Sequence, residues 1–337
     1  MIQKVIQYFK NFIIIYFWYL SICLFIYLLT HFILFWFSSA VQVFKYTDDT
    51  AMTRSVAESL LISKNFDATD LAKRFTLEYF RSPDRGYGAN VAAVFCALKL
   101  EDFNEPFGPA KRQFHGTGSY GNGAAMRIAP AAMYGFNFSD HNLAKLSQNC
   151  SLITHYHPHG FNGAVFQTFA VHQALHLNEN FDVLSFLDKM ISKMNLVESE
   201  FDGDQKCYTN QLKTMKEMIQ AKNGKLSASV EEIVETFGNR VSAPKSVASA
   251  LYSAFKAHEP MEIFENIFVK ALYAAISLGG DTDTIASMTC SIVGAMYGES
   301  VIPEIFIKRC EASDIMTKLA DELFNRLEET DNNQKTL

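Results

Sequence analysis

The sequence predicts an all-α fold, and three observations carry that expectation. Beyond Lys45 apolar residues recur three and four apart, no stretch sustains the alternation of a half-buried strand, and the apolar runs stop at glycine, proline or short polar clusters. In chain order, Met52, Val56 and Leu60 mark a first helix after Asp48 and Asp49. Leu143, Leu146, Cys150 and Ile153 share one face of another. The stretch FNGAVFQTFAVHQAL, residues 161–175, is apolar nearly all round, which predicts a central, buried helix. Ile263, Phe264, Ile267, Phe268, Leu272 and Ile276 form the next face, with Pro260 near its start and Gly279-Gly280 at its stop. Ile315, Leu319, Leu323 and Leu327 form the last, with Ser313 as its cap, before a polar tail over 331–337 that is expected to fray. Loops are expected at 82–88, 102–120, 157–160 and 203–204. With no internal repeat and no long linker, residues 45–330 read as one domain.

Composition narrows the function classes. At 337 residues and 49% hydrophobic content the chain can bury a sizeable core. A net charge of -6 argues against a duplex-binding surface, which needs clustered cations to replace phosphate counterions. The six cysteines, Cys23, Cys96, Cys150, Cys207, Cys290 and Cys310, form no CxxC pair, so neither a zinc ribbon nor a disulfide framework is indicated and a reducing compartment fits.

Residues 1–44 differ in kind. From Asn11 to Phe44 there is no Asp, Glu, Lys, Arg, Gly or Pro, and the run is long enough to cross a bilayer. Its Phe, Ile, Leu and Tyr content is also what A/T-rich non-coding DNA yields on translation. The expectation is an anomalous segment of that origin, with a membrane anchor as the alternative. A spanning helix would press the acids that follow against the membrane.

Those acids open the first of two matching motifs. In YTDDTAMT, Asp48 and Asp49 stand at a helix start beside Thr47; taken alone they read as capping and first-turn acids. In SLGGDTDTIASM, Asp281 and Asp283 stand at another helix start beside Thr282 and Thr284, and no Lys or Arg lies between Lys270 and Lys308 to meet them. Four carboxylates with threonine oxygens form a hard, all-oxygen donor set, and one divalent ion cannot neutralise four charges. Two Mg²⁺ ions are the natural complement.

The stretch GTGSYGNGAAMRIAP, residues 116–130, is a Gly-rich loop running into a short helix, whose N–H groups could cradle a pyrophosphate. It lacks the Gly-Lys-Ser/Thr of a Walker loop, and no strand precedes it as a dinucleotide fingerprint requires. A mobile surface loop is the alternative; the flanking Phe114 and Tyr120, which offer a base or ribose a stacking face, favour the binding reading. In THYHPHG, His155, His157 and His159 alternate, but Pro158 makes a loop and no acid or Cys completes a zinc set, so His157 and His159 read as solvated. His172 and His176 lack the intervening Glu of a zinc protease and read as packing or surface residues.

Taken together, YTDDTAM, PDRGYGAN, QFHGTGSYGNGAAMR, LITHYHPHGFNGA and SLGGDTDTIASM resemble, in order, the motifs of the ADP-ribosylglycohydrolase family, most closely its branch that removes ADP-ribose from serine and shortens poly(ADP-ribose). The resemblance runs from Tyr46 to about Leu327 and implies an orthogonal helical bundle around a two-Mg²⁺ site. It implies that Thr47, Asp48, Asp49, Asp281, Asp283 and Thr284 bind the metal pair, with Asp48, Asp49 and Asp281 catalytic. It further implies that Thr117, Gly118, Ser119, Tyr120, Gly121, Asn122 and Gly123 hold pyrophosphate and ribose, that Phe114 stacks on adenine, and that His155 touches the ligand.

The implied partners are ADP-ribosylated proteins and poly(ADP-ribose), met by a monomer in cytoplasm, nucleus or mitochondria; membrane contact follows only from residues 11–44. The family also carries an early Gly-Asp helix and a Glu beyond it, whereas here no acid precedes Asp48 and no Gly precedes Gly86. That departure keeps open an inactive ADP-ribose binder, and an arginine-linked substrate is the alternative within the family.

Overall fold

The computed structural model describes residues 43–63, 66–177, 181–201 and 206–335. Every extended element among them is a helix, and β pairing is confined to the isolated bridges Phe44–Cys310 and Gly121–Ser242. The helices are α1 (Asp48–Ile62), α2 (Ala68–Arg81), α3 (Ala89–Leu100), α4 (Gly108–Arg112), α5 (Gly123–Met126), α6 (Ala129–Tyr134), α7 (Asp140–Leu152) and α8 (Pro158–Leu175). They continue as α9 (Val183–Phe201), α10 (Cys207–Ala221), α11 (Val230–Phe237), α12 (Val247–Lys256), α13 (Ile267–Ser277), α14 (Thr282–Tyr297), α15 (Glu304–Arg309) and α16 (Ser313–Lys335).

Helix α8 is the axis of the bundle. Every residue from Gly160 to Leu175 is buried, and α5, α6, α7, α9 and α14 pack around it, as its all-round apolar sequence predicts. One polar group on that axis joins it to a neighbour: Gln167 Nε2 donates to Met288 O and to Ser291 Oγ, both at 2.9 Å, tying α8 to α14. His172 and His176 pack as read, His172 Nε2 lying 3.0 Å from Phe136 O while the His176 ring stacks on Phe136. On the other side of α14, α13 and α12 complete the layer that carries the second acidic motif.

Several boundaries differ from the sequence reading. α13 begins at Ile267, because Asn266 caps it by accepting from Val269 N; Ile263, assigned to its apolar face, is 73% exposed outside the helix. The expected 102–120 loop contains α4 and a 3₁₀ turn over Gln113–Gly116. The expected 157–160 loop is a helix start: Pro158 is its first residue, and His157 caps it by accepting from His159 N. His157 is therefore a cap, packed edge-on to Tyr120, rather than a solvated side chain. α16 continues to Lys335, so residues 331–335 extend the helix where a polar tail was expected. It buries Met316, Ala320 and Phe324 beside Leu319 and Leu323, and leaves Ile315 41% exposed. The 203–204 loop and the apolar run up to residue 42 lie outside the described residues. Among the described residues no helix is long and apolar enough to cross a membrane.

The two ends of the domain meet. Phe44 N donates to Arg309 O at 2.7 Å and Glu311 N to Phe44 O at 2.9 Å, while Arg85 pairs through both outer nitrogens with Glu311 and stacks 3.9 Å over the Tyr46 ring. From α16, Arg326 caps α1 by donating to the carbonyls of Leu60, Leu61 and Ser63. These contacts hold the N-terminus of α1 where the first acidic pair is needed.

Candidate active site

At the start of α1, Thr47 occupies the cap position, yet its hydroxyl donates to Asp49 Oδ2 at 2.8 Å instead of capping the backbone. Asp48 N donates to Arg85 O at 2.8 Å, so the 82–88 loop fixes this turn. Asp49 is 1% exposed, and its Oδ1 is buried with no hydrogen-bond partner. An orphaned carboxylate oxygen is costly unless a cation meets it.

The start of α14 is held differently. Gly279 and Gly280 take φ of +65° and +68°, and a Cβ on Gly280 would lie 2.0 Å from Asn239 O. Only glycine lets this backbone approach, and the approach is used: Asp281 N donates to Asn239 O at 2.8 Å. Asn122, from the Gly-rich loop, then donates through Nδ2 to Asp281 Oδ2 at 2.6 Å and to Ser246 Oγ at 3.1 Å. Thus the loop and the second acidic motif are one unit.

The loop is built against α8. A Cβ on Gly118 would lie 2.6 Å from His157 N, and one on Gly160 would lie 2.5 Å from Ser119 O. Opposite, Asn122 N donates to Val241 O and Ala243 N to Tyr120 O, so residues 239–243 strap the loop from outside.

Between these parts lies a cleft of about 260 Å³. Asp48, Asp281, Asp283, Thr284, Ser119, Gly121, Asn122, Gly123 and His155 all line it. Thr47 and Asp49 are buried but not part of the lining. Phe114, Thr117 and Tyr120 are exposed and Gly118 is buried, and the structure does not bring these four into the lining. Phe114 has φ of +51° and Thr117 Oγ1 donates to its carbonyl at 2.9 Å, a turn that sets the ring outward, 45% exposed.

Sequence reasoning missed other wall residues: Tyr87, Asn90, Gln113, Arg127, Thr154 and Val241. Tyr87 hydroxyl and Gln113 Oε1 are buried without partners. The signal available was the length of the motifs, since Tyr87 and Asn90 lie in PDRGYGAN, and Gln113 and Arg127 lie in QFHGTGSYGNGAAMR.

Charge decides what the cleft can hold. Burial, and then the charge of Asp283, push the Asp48 carboxyl up to about 7. Burial and the neighbouring Asp48 drive Asp49 well above the usual carboxylate range. Asp281 is raised by burial to about 6, with the Asn122 hydrogen bond working against the rise. The sequence argument that no cation meets these acids needs correction: Arg127, from the Gly-rich stretch, lines the same cleft and lowers Asp48. It is itself 1% exposed, and burial pulls its guanidinium down to about 10.

One buried guanidinium opposes four carboxylates, which leaves a net negative, all-oxygen donor set with one orphaned oxygen. That chemistry fits a hard divalent cation. Among the described residues no group of three or more His, Cys, Asp or Glu side chains is itself arranged to hold an ion, so threonine, water or ligand oxygens would have to complete any shell.

The ADP-ribosylglycohydrolase family model matches residues 27–333 of this chain. The chain belongs to the ADP-ribosylglycohydrolase family. It is 36% identical over 305 residues to the ADP-ribosylhydrolase ARH3 of Mus musculus, covering 87% of this chain and 80% of that protein. It is likewise 36% identical over 304 residues to the Homo sapiens ADP-ribosylhydrolase ARH3, covering 86% and 82%. A solved structure described as an ADP-ribosylglycohydrolase-related protein complex superposes with a TM-score of 0.61 at 18% identity, covering 96% of both chains. The family and its ARH3 members make the chain a glycosidase-type hydrolase, and the helical architecture is that of the family fold.

Proposed function

We propose that the protein hydrolyses the glycosidic bond between ADP-ribose and a serine side chain, and between units of poly(ADP-ribose). The observation that carries this reading is the convergence of Asp48 with Asp281 and Asp283, more than two hundred residues apart, on a cleft that shares Asn122 with a Gly-rich loop. A diphosphate-linked sugar needs both halves: donors for its anionic part and oxygens that fix its ribose. The identity to ADP-ribosylhydrolase ARH3 proteins supports the substrate class.

In this reading Asp48, Asp281, Asp283 and Thr284 at the cleft wall, with Thr47 and Asp49 behind it, hold two Mg²⁺ ions. When bound, the ions neutralise the acids and polarise oxygen at the anomeric centre. The rest falls to the chain. Ser119 and Gly123 offer loop donors to the pyrophosphate, Gly121 and Asn122 shape the same wall with their own N–H groups bonded to Ser119 Oγ and Val241 O, and His155 adds a side-chain donor beside them. Asp48 and Asp281 accept hydrogen bonds from the ribose hydroxyls and the attacking water, fixing the water at the face opposite the departing oxygen. The bond from the anomeric carbon to the serine oxygen breaks through an oxocarbenium-like state that the surrounding carboxylates stabilise. The water oxygen takes its place, one water proton passes to a cleft carboxylate, and the serine oxygen leaves as a hydroxyl with a proton taken from the cleft. The cleft residues named here lie on one chain, which supports action as a monomer.

The test is release of ADP-ribose from serine-linked peptide, arginine-linked peptide and poly(ADP-ribose), with Mg²⁺ and with chelator. Mg²⁺-dependent release from the serine linkage and the polymer is expected. Preference for the arginine linkage would reassign the substrate, and tight ADP-ribose binding without release would make the chain a reader rather than a hydrolase.

A further inference from the structure

Along the cleft wall beside the loop, three buried polar residues form a line. Arg127 Nη2 donates to Thr154 Oγ1 at 2.7 Å and to Cys150 O at 3.2 Å, and its guanidinium lies 4.4 Å over the Phe75 ring. Thr154 Oγ1 in turn lies 2.7 Å from His155 Nδ1. Arg127 and Thr154 are each 1% exposed and His155 is 6% exposed. On its far side the imidazole faces the loop: a Cβ on Gly121 would lie 3.1 Å from Nε2, and one on Gly123 would lie 3.1 Å from Cε1. Gly121 and Gly123 thus leave the space the ring occupies.

The donor and acceptor inventory fixes the direction of this line. A guanidinium can only donate, so Thr154 Oγ1 accepts from Arg127 and its own hydrogen needs an acceptor. Among the described residues no other acceptor stands within reach of that hydrogen, so His155 Nδ1, 2.7 Å away, takes it with its lone pair. A neutral imidazole with Nδ1 unprotonated has its proton on Nε2. We propose that Arg127 and Thr154 are positioning residues that lock His155 in its neutral Nε2–H form, aimed past Gly121 as a fixed donor to an oxygen of the bound ligand. The surroundings agree: burial, reinforced by the charge of Arg127, pushes the imidazolium far down, to about 3. The ligand half of this inference rests on the proposed function; the tautomer does not.

The test is ¹⁵N NMR of the full chain labelled at histidine, with the His155 signals assigned by their loss in His155→Gln. Expected at pH 6–8 is a protonated Nε2 and a pyridine-type Nδ1, without ligand. Thr154→Val should convert His155 to mixed tautomers and weaken ADP-ribose binding by about tenfold, the size of one lost hydrogen bond. Thr154→Ser should restore both. A wild-type His155 protonated at Nδ1, or a tautomer unmoved in Thr154→Val, overturns the relay. A chain that binds no ADP-ribose yet shows the expected tautomer overturns the proposed function and leaves the relay in place.

Discussion

The starts of α1 and α14 each carry two aspartates and a threonine, α1 showing only Asp48 to the cleft, and they are held by opposite means. At α1 the acids are held from behind: Asp49 is buried, its Thr47 partner is buried, and the backbone of Asp48 is pinned to the Arg85 loop. At α14 the acids are half-buried and held from the front, by Asn122 reaching across from the ligand loop and by a glycine pair that lets Asn239 close in. The first pair is therefore tied to the core and the second to the loop that would touch the ligand. Ligand binding and acid placement are coupled at α14, whereas at α1 acid placement is coupled to stability.

The largest effect should come from neutralising the buried pair. Asp48→Asn or Asp49→Asn is expected to lower hydrolysis by roughly a hundredfold or more while the fold persists, because a carboxamide cannot replace the charge the site is built around. Near-normal turnover in either would break the proposed division. Next, Gly280→Ala forces a Cβ against Asn239 O at positive φ and should cost roughly 3 kcal/mol in denaturant unfolding, along with the Asp281 geometry. A tolerated alanine would show that α14 does not depend on the close approach.

A third test uses pH. The Asp48 and Asp281 carboxyls sit at about 7 and about 6, above the ordinary 3.8 of the unfolded chain. Between pH 4 and 7 the native state therefore holds more protons than the unfolded one, and these groups make stability fall as pH rises. In chelator Asp48→Asn should melt above the wild type by a margin that grows from pH 5 to pH 7.5, since the buried histidines His155 and His172, held low, shift both chains alike, and Mg²⁺ should close that margin. Asp49→Asn should raise the melting temperature in chelator at pH 7.5 even as it abolishes turnover. The smallest effect is expected at the clasp. Arg85 holds the Glu311 carboxyl below its usual range, so this pair stabilises at neutral pH and is lost as pH falls through the acid range. Glu311→Gln should cost about 1 kcal/mol at pH 7 and nothing measurable near pH 3, as for a partly exposed pair.

How far the sequence reaches follows from what each residue depends on. The central helix, both acidic starts and the Gly279-Gly280 stop were legible because periodicity and glycine act locally. Arg127 was not, because its closeness to Asp48 is produced by α1 packing against α5 and α6, and no spacing within the chain reports it. The Asn122–Asp281 bond spans 159 positions and is invisible for the same reason. His157 was misread because Pro158 signals either a loop or a helix's first turn, and only the bond from His159 N decides between them. Phe114 was placed in the site by its neighbours in sequence, and a left-handed turn leaves its ring exposed beyond the cleft lining.

The clasp between residues 44–46 and 309–311 has a consequence in the order of synthesis. Asp48 emerges from the ribosome early, but the Cys310 bridge and Glu311, which anchor the segment leading into it, arrive more than 260 residues later. At ordinary elongation speed the first acidic pair waits for tens of seconds, like-charged and without its anchor. A nascent chain arrested before Glu311 would carry every cleft residue from Asp48 to Thr284, with the segment leading into the first acidic turn still unanchored. The clasp that fixes the entry to α1 is among the last things this polypeptide can close.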